Sequence, residues 1–165
     1  MSNNICVLSI DIGYAIIGWS IINIYNRVDY SLVKYGCIEN SNISDSIESR
    51  IYSNIIEIEL LIDKYKPNHL VIESLFFFKN KKTAIDVAQS RGALLFLGKK
   101  KNLQIYSYTP LKVKNVITGY GKSTKKDVHK SIKEIFGDKV NTKQDDIIDA
   151  IAIGMCHFKE IIYKN

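Results

Sequence analysis

The amino-acid sequence predicts an α/β protein in which a mixed sheet is flanked by helices. The chain opens with three closely spaced apolar segments rich in β-branched residues, which are typical of an antiparallel meander. Strand-like and helix-like segments then alternate, which favours parallel pairing through crossover helices. With 165 residues, 46% of them hydrophobic, the chain suits one core. We therefore predict a single domain over residues 1–165.

Strands are predicted where a short apolar run is rich in branched residues and bounded by turn residues. Gly13 ends the first of these runs, and the third alternates only roughly. The predicted strands cover residues 5–12, 16–24, 28–38, 69–73 and 103–106.

Helices are predicted where apolar residues recur every three or four positions. Ser44 is the expected N-cap of the first helix, Pro67 follows its end, and Thr109 with Pro110 opens a short helix. His157 is expected to cap the last helix at its C-terminus. The longer helices are predicted over residues 45–66, 83–101, 125–136 and 145–157, with connections at 76–80 and 119–124.

Positive charge is concentrated in the middle of the chain. Residues 79–143 hold 16 lysines and arginines against 4 acids, a net charge of +12, whereas the remaining residues carry −6. So uneven a distribution points to a polyanion such as nucleic acid. A solvated lysine-rich face would explain a short run such as residues 99–101, but not the whole block.

The composition also argues against several classes of protein. The N-terminus lacks the features of a signal peptide, and no apolar stretch is long enough to span a bilayer. Cys6, Cys37 and Cys156 have no CxxC spacing, which favours free thiols in a reducing, intracellular compartment over a disulfide scaffold or a zinc site. The GYG sequence at residues 119–121 lacks the context of a dinucleotide-binding loop, so no nucleotide cofactor is expected.

Four carboxylates stand out by position. Asp11 and Glu73 each lie near the C-terminal end of an apolar strand, where the functional groups of α/β sheets gather. Asp146 and Asp149 are three residues apart and share one face of an otherwise apolar helix. Each alone could be a turn, cap or helix-surface residue. Crowded carboxylates repel unless cations neutralise them, so together they predict a site for about two Mg²⁺ ions, with Mn²⁺ as a substitute.

The ordered motifs of the chain resemble those of the RuvC-type Holliday junction resolvases of the RNase H-like superfamily, and most closely their poxvirus branch. A lone D-x-G would carry little weight, but the ordered set covers nearly the whole chain. The motifs are SIDIG (9–13), YGCI (35–38), VIESLFFFKN (71–80), AQSRG (88–92), VKNVITGYG (113–121) and DIIDAIAI (146–153).

This resemblance implies an RNase H-like fold, a mixed five-stranded sheet flanked by helices, in a homodimer. It implies that Asp11, Glu73, Asp146 and Asp149 form a catalytic, metal-binding tetrad. It further implies a Mg²⁺-dependent endodeoxyribonuclease that nicks opposing strands of a four-way DNA junction in symmetric pairs, with Lys125 as a catalytic basic residue near the scissile phosphate. The poxvirus branch implies viral concatemer junctions as substrates and the host cytoplasm as the location.

Further motif positions are expected to contact DNA. Phe76 matches the aromatic residue that enters the junction centre, where a ring can replace lost base stacking. Lys114 matches a basic position near the scissile phosphate, and Lys79 and Arg91 match positions on the DNA-facing side or its support. Each could instead be an ordinary phosphate anchor or a surface charge. The other expected DNA contacts in the basic block are Lys112, Lys122 and Lys126.

Two residues depart from the bacterial pattern of this family. Ile12 stands where a proline often follows the first catalytic aspartate, which affects the geometry of the turn. Asp145 is acidic where the bacterial pattern is not. Asp145 could be a helix cap or a group that supports the catalytic carboxylates, and we leave it out of the tetrad.

Other functions share part of this pattern. An actin-like ATPase also begins with D-x-G, but it needs two such domains and this chain has room for one. An RNase H-like nuclease acting on RNA, flaps or other branched substrates shares the carboxylates, and a junction-binding module without activity would share the lysines. The segment at residues 76–80 and the central lysines favour the junction enzyme, and the presence of all four carboxylates argues against an inactive module.

Overall fold

The computed structural model describes residues 4–39, 46–74 and 83–163. Strands and helices follow the predicted order along the chain. The strands are β1 (Ile5–Ile12), β2 (Ile16–Ile24), β3 (Tyr30–Glu39), β4 (His69–Glu73) and β5 (Gln104–Tyr108). The helices are α1 (Ile47–Tyr65), α2 (Ala84–Lys100), α3 (Pro110–Thr118), α4 (Lys125–Phe136) and α5 (Asp145–Tyr163), with a short 3₁₀ turn at Gly137–Lys139.

The strands form one mixed sheet in the order β3-β2-β1-β4-β5. The first three strands pair antiparallel as the predicted meander. Strands β4 and β5 run parallel to β1, which helices α1 and α2 make possible as crossovers. The predicted fold class, a mixed five-stranded sheet flanked by helices, is confirmed.

Each face of the sheet buries its own apolar core. Alternate residues of a strand point to opposite faces, and β1 divides accordingly. Leu8 and Ile10 join the core under α1 and α2, whereas Val7 joins the core under α3, α4 and α5. Asp11 is next to Ile10 in β1, so its side chain points to the opposite face of the sheet, the face that carries α5.

Helix α5 lies directly on strands β1 and β2 because glycines remove the side chains between them. A Cβ at Gly154 would come within 2.7 Å of the Ser9 hydroxyl oxygen. Ser9 and Ser20 are fully buried beneath the helix and hydrogen bond to each other at 2.6 Å, which satisfies both hydroxyls in the core.

The helix starts follow local capping chemistry, which corrects one prediction. Helix α1 is capped by Ser46, whose hydroxyl oxygen accepts a hydrogen bond from the backbone N–H of Ser49. The predicted cap, Ser44, lies outside the described residues. Thr124 and Asp127 form a capping box that fixes the start of α4 at Lys125, as predicted.

His157 was predicted to cap the end of α5, and this is wrong. The helix continues to Tyr163, and His157 is fully buried within it. Its Nε2 lies 2.8 Å from His69 Nδ1, and its Nδ1 lies 2.8 Å from the Tyr108 hydroxyl. Burial, and then the neighbouring His69, lower the pKa of His157 to about 3, so the imidazole is a neutral core group.

The cysteines are free, as expected, but only Cys156 is fully buried. Burial raises the pKa of Cys156 to about 12. Among the described residues, no helix has the length and apolar character needed to cross a membrane.

Candidate active site

Asp11 and Glu73 lie side by side because their strands are neighbours. Strands β1 and β4 pair parallel with Ser9 opposite Val71 and Ile10 opposite Ile72. Continuing this register by one residue puts Asp11 beside Glu73, both at the C-terminal edge of the sheet and on the face that carries α5. This edge is where open α/β sheets place their functional groups.

Gly18 brings Asp146 to the same edge. Gly18 is the partner of Asp11 in the β1–β2 pairing, and a Cβ on Gly18 would come within 1.9 Å of the Asp146 carbonyl oxygen. A side chain is therefore not tolerated at this contact, and the first turn of α5 lies against the sheet next to Asp11. Asp149 follows one helical turn later on the same side of α5.

The turn after Asp11 is fixed from below by a buried arginine. Arg50 of α1 donates from its Nη2 to the carbonyl oxygen of Tyr14, and its guanidinium lies 4.1 Å from the centre of the Tyr14 ring. A cation stacked on an aromatic face is stabilised electrostatically. This contact ties α1 to the turn that follows the first carboxylate, although the sequence pattern of α1 gave no sign of it.

The four predicted carboxylates interact electrostatically. Burial raises the pKa of Asp11 well above its usual value, and the charges of Glu73, Asp149 and Asp146 raise it further. Lys125 acts in the opposite direction. Asp11 therefore lies in a place that favours either a proton or a nearby cation.

These residues fit a hard divalent cation by the chemistry of their donors. Four carboxylates offer the oxygen ligands that Mg²⁺ and Mn²⁺ prefer, and burial together with the charges of Glu73, Asp149 and Asp146 raises the pKa of Asp11. In the described part of the chain, no three His, Cys, Asp or Glu side chains already stand in metal-binding positions. Carboxylates that repel one another are expected to draw together only around a cation.

Lys125 supplies positive charge to this acidic cluster. Its Nζ lies 3.1 Å from Asp149 Oδ2 and 3.4 Å from Asp145 Oδ2. Partial burial works to lower the pKa of Lys125, but Asp149 and Asp145 outweigh it and the pKa is raised. The lysine is therefore protonated and lies at the rim of the predicted site.

Sequence reasoning missed a second set of polar contacts at the start of α5. Gln144 donates from Nε2 to Glu39 Oε1 at 3.3 Å, and its Oε1 accepts from the Cys37 thiol at 3.2 Å. Its carbonyl oxygen also accepts the backbone N–H of Ile148. These contacts tie the end of β3 to the first turn of α5. No local sequence pattern predicts them, because the partners are over 100 residues apart in sequence.

The predicted DNA-contacting residues are not gathered in one group. Arg91 donates from Nη2 to the Ser107 hydroxyl of β5 at 2.9 Å, and Lys112 pairs with Glu160 of α5 at 2.8 Å. Both contacts support the fold as well as adding charge. The others that the structure describes lie on or between α3 and α4, namely Lys114, Lys122 and Lys126. Phe76 and Lys79 lie outside the described residues.

Comparisons with known proteins show which family and which fold the chain shares. The family model described as "Crossover junction endodeoxyribonuclease RuvC" matches residues 7–157. A protein of that name from Fusobacterium nucleatum subsp. nucleatum is 44% identical over 94% of this chain and 80% of its own length. A structure of T. thermophilus RuvC in complex with a Holliday junction substrate superposes with a TM-score of 0.87 at 21% identity, over 97% of this chain and 96% of that one.

The poxvirus resemblance is weaker in structure. The Fowlpox virus resolvase in complex with Holliday junction DNA has a TM-score of 0.62 at 16% identity, over 95% of this chain and 99% of that chain. At such identities both superpositions establish the shared fold. The comparisons support the RuvC-type prediction and give no support to a poxvirus branch.

Proposed function

The chain belongs to the RuvC family of crossover junction endodeoxyribonucleases, and we propose that it resolves four-way DNA junctions by metal-dependent, paired, symmetric nicking. The observation that carries this proposal is the placement of Asp11. It lies at the edge of the sheet, its pKa is raised by burial and then by three other carboxylates, and Lys125 acts against them. A cluster of this kind, beside a basic block of net charge +12, suits phosphodiester hydrolysis.

We propose that Asp11, Glu73, Asp146 and Asp149 hold Mg²⁺, about two ions per site, with Mn²⁺ as a substitute. When bound, such ions lower the pKa of water and stabilise charge on phosphate oxygens. The oxygen-only donor set supports this choice over zinc, which favours sulfur and nitrogen ligands.

The described residues of the chain supply binding and orientation. The protonated Lys125 at the rim of the cluster offers N–H donors to a phosphate oxygen, and we propose it as a catalytic residue. Lys114, Lys122 and Lys126 add positive charge on α3 and α4, and Arg91 and Lys112 add charge from elements that they also brace. We keep Phe76 and Lys79, from the motif alone, as further DNA contacts.

Paired nicking needs two active sites, so we propose a homodimer. Helix α2 offers an exposed apolar surface for the second copy, because Ile85 and Phe96, three turns apart on one side of the helix, are 69% and 72% exposed. We propose that the second copy covers these two exposed apolar side chains. Sedimentation velocity is expected to give twice the 18.8 kDa mass of the chain.

We place the chain among the bacterial RuvC proteins, because the curated relative with 44% identity is bacterial. Viral concatemer junctions and a host cytoplasm then have no support. We propose that the protein acts inside the cell, on recombination junctions, where its three cysteines remain reduced.

The test is cleavage of an immobile four-way junction, compared with linear duplex and with an RNA–DNA hybrid, with and without Mg²⁺. We expect paired symmetric nicks on the junction only, and only with the metal. Junction binding without cleavage would instead indicate a binding module, and cleavage of the hybrid would indicate another nuclease of the same fold. Junction affinity is also expected to fall steeply with salt, because the basic block releases counterions on binding.

A further inference from the structure

Asp145 is the residue of the acidic region that the tetrad leaves without a function. It is the first residue of α5, next to Asp146, and its side chain is 52% exposed. It is also acidic where the bacterial motif is not. An exposed acid at a helix start is ordinary in itself, so its contacts decide what it does.

Both carboxylate oxygens of Asp145 face helix α4. Oδ2 lies 3.4 Å from Lys125 Nζ, and Oδ1 lies 3.3 Å from His129 Nε2. The His129 contact is a close approach without hydrogen-bond geometry, since this nitrogen makes no hydrogen bond. Lys125 and His129 are one turn apart on α4, so Asp145 bridges two consecutive turns of that helix.

Lys125 is thus held between two acceptors of different kinds. Asp149, at 3.1 Å, belongs to the proposed metal-binding tetrad, whereas Asp145, at 3.4 Å, does not. The start of α4 is itself fixed by the Thr124–Asp127 capping box, so the backbone of Lys125 cannot move far. The side chain of Lys125 can still move between Asp145 and Asp149.

We propose that Asp145 is a positioning residue that holds Lys125 at the rim of the active site when Asp149 binds a divalent cation and no longer pairs with Lys125. The inference rests on the proposed function in one respect, that Asp149 is a metal ligand. With Asp145 present, Lys125 keeps a partner and stays beside the bound phosphate. Without Asp145, Asp149 is the acidic residue within ion-pair distance of Lys125 among the described residues, and there the lysine competes with the cation.

The first test measures cation binding without DNA. The protein is titrated with MnCl₂ alone, and the rise in its thermal unfolding midpoint gives the half-saturating Mn²⁺ concentration. Asp145→Asn is expected to raise that concentration about two- to fivefold, the range typical of partly exposed ion pairs. Lys125→Met is expected to lower it, because a competing ammonium is removed.

The double variant separates positioning from simple charge. If Asp145 acts through Lys125, the increase caused by Asp145→Asn is at least twofold smaller in the Lys125→Met background than in the wild type. An equal increase in both backgrounds would show that Asp145 binds the cation or acts on it directly, and no increase in either would show that it has no part. Both results overturn the proposal. Asp138→Asn, which changes an exposed acid in the 3₁₀ turn after α4, is the matched control.

The second test uses single-turnover junction cleavage at saturating Mg²⁺. Asp145→Asn is expected to slow cleavage about two- to fivefold with junction binding unchanged, and Asp145→Glu is expected to restore most of the rate. Failure of the glutamate to restore it would count against a positioning role. A wild-type protein that does not cleave junctions would refute the proposed function instead, and the Mn²⁺ titration would still decide the position of Lys125.

Discussion

The two halves of α5 place their polar side chains in opposite surroundings. At its C-terminal half, the fully buried His157 has a partner on each ring nitrogen, Tyr108 and His69. At its first turns, Asp146 and Asp149 approach Asp11 and add to its electrostatic strain. One helix therefore carries a buried histidine with a partner on each ring nitrogen, and two carboxylates whose charges raise the pKa of Asp11.

This difference separates structural polar groups from functional ones. Buried polar groups that only maintain the fold are hydrogen bonded within the protein. Groups that must bind a ligand are left without full pairing inside the protein, and this lowers the stability of the fold. The same helix should therefore lose activity without losing stability when it is changed at one end, and lose stability without a direct effect on chemistry when it is changed at the other.

The largest effect is expected from Asp146→Asn. The change removes one proposed cation ligand while leaving the basic helices intact, so junction cleavage should fall on the order of 1,000-fold or more. Junction binding without metal should remain or strengthen, since a negative charge near the DNA is lost. Cleavage assays with electrophoretic binding assays measure both. Cleavage at the wild-type rate would remove Asp146 from the site.

His157→Ala should have the largest effect on stability. It leaves the Tyr108 hydroxyl and His69 Nδ1 unpaired and opens a cavity, which should cost about 3 kcal/mol in the free energy of unfolding. His129→Ala is the matched control and should cost less than about 1 kcal/mol, because this partly exposed ring makes no hydrogen bond through Nε2. Urea denaturation measures both, and equal losses would show that the His157 network contributes nothing.

Two glycines at the contact between α5 and the sheet, Gly18 of β2 and Gly154 of α5, offer a closer comparison. A Cβ at Gly18 would meet the Asp146 backbone at 1.9 Å, and one at Gly154 would meet the Ser9 and Ile22 side chains at 2.7 and 2.8 Å. Each alanine substitution should destabilise by about 1–3 kcal/mol. Only Gly18→Ala should also reduce cleavage by the folded protein, because it displaces the turn that carries Asp146. Equal losses of cleavage in both variants would contradict this account of the site.

A dependence of stability on pH is expected from the same histidine. Burial and the adjacent His69 lower the pKa of His157 to about 3 in the folded protein, against about 6.5 when unfolded. The unfolded chain therefore binds the proton first as pH falls. Stability from this group is complete above about pH 6.5 and is lost below it, by up to about 1.4 kcal/mol per pH unit.

Urea unfolding between pH 7.5 and pH 5 measures this loss. The wild type should lose more stability over that range than His157→Ala does, because only the wild type must protonate a buried imidazole. The difference between the two proteins cancels the contributions of carboxylates that they share. Parallel curves would show that His157 is protonated in the folded state.

Much of the fold could be predicted because its signals are local. The branched run of β1 ends at Ile12, next to Gly13, and its predicted bounds agree with the structure. The capping box formed by Thr124 and Asp127 likewise sets the start of α4 at Lys125, where it was predicted. No glycine or proline follows His157, so the true end of α5, six residues later, could not be found.

The candidate site divides in the same way. Asp11 and Glu73 could be found as carboxylates near strand ends, and Asp146 with Asp149 by their helical spacing. The contacts of Arg50 with Tyr14, and those of Gln144 with Glu39 and Cys37, could not be found, because they join segments far apart in sequence. Such contacts depend on packing between elements, which periodicity does not reveal.

The most direct test of the central claim is the unfolding free energy of the wild type and Asp146→Asn, each with and without Mg²⁺. If the start of α5 is left unbalanced for a cation, the variant should be at least as stable as the wild type without metal. Mg²⁺ should then stabilise the wild type and have little effect on the variant. A variant that is less stable without metal, together with a wild type that does not respond to Mg²⁺, would contradict the account and make Asp146 a structural residue.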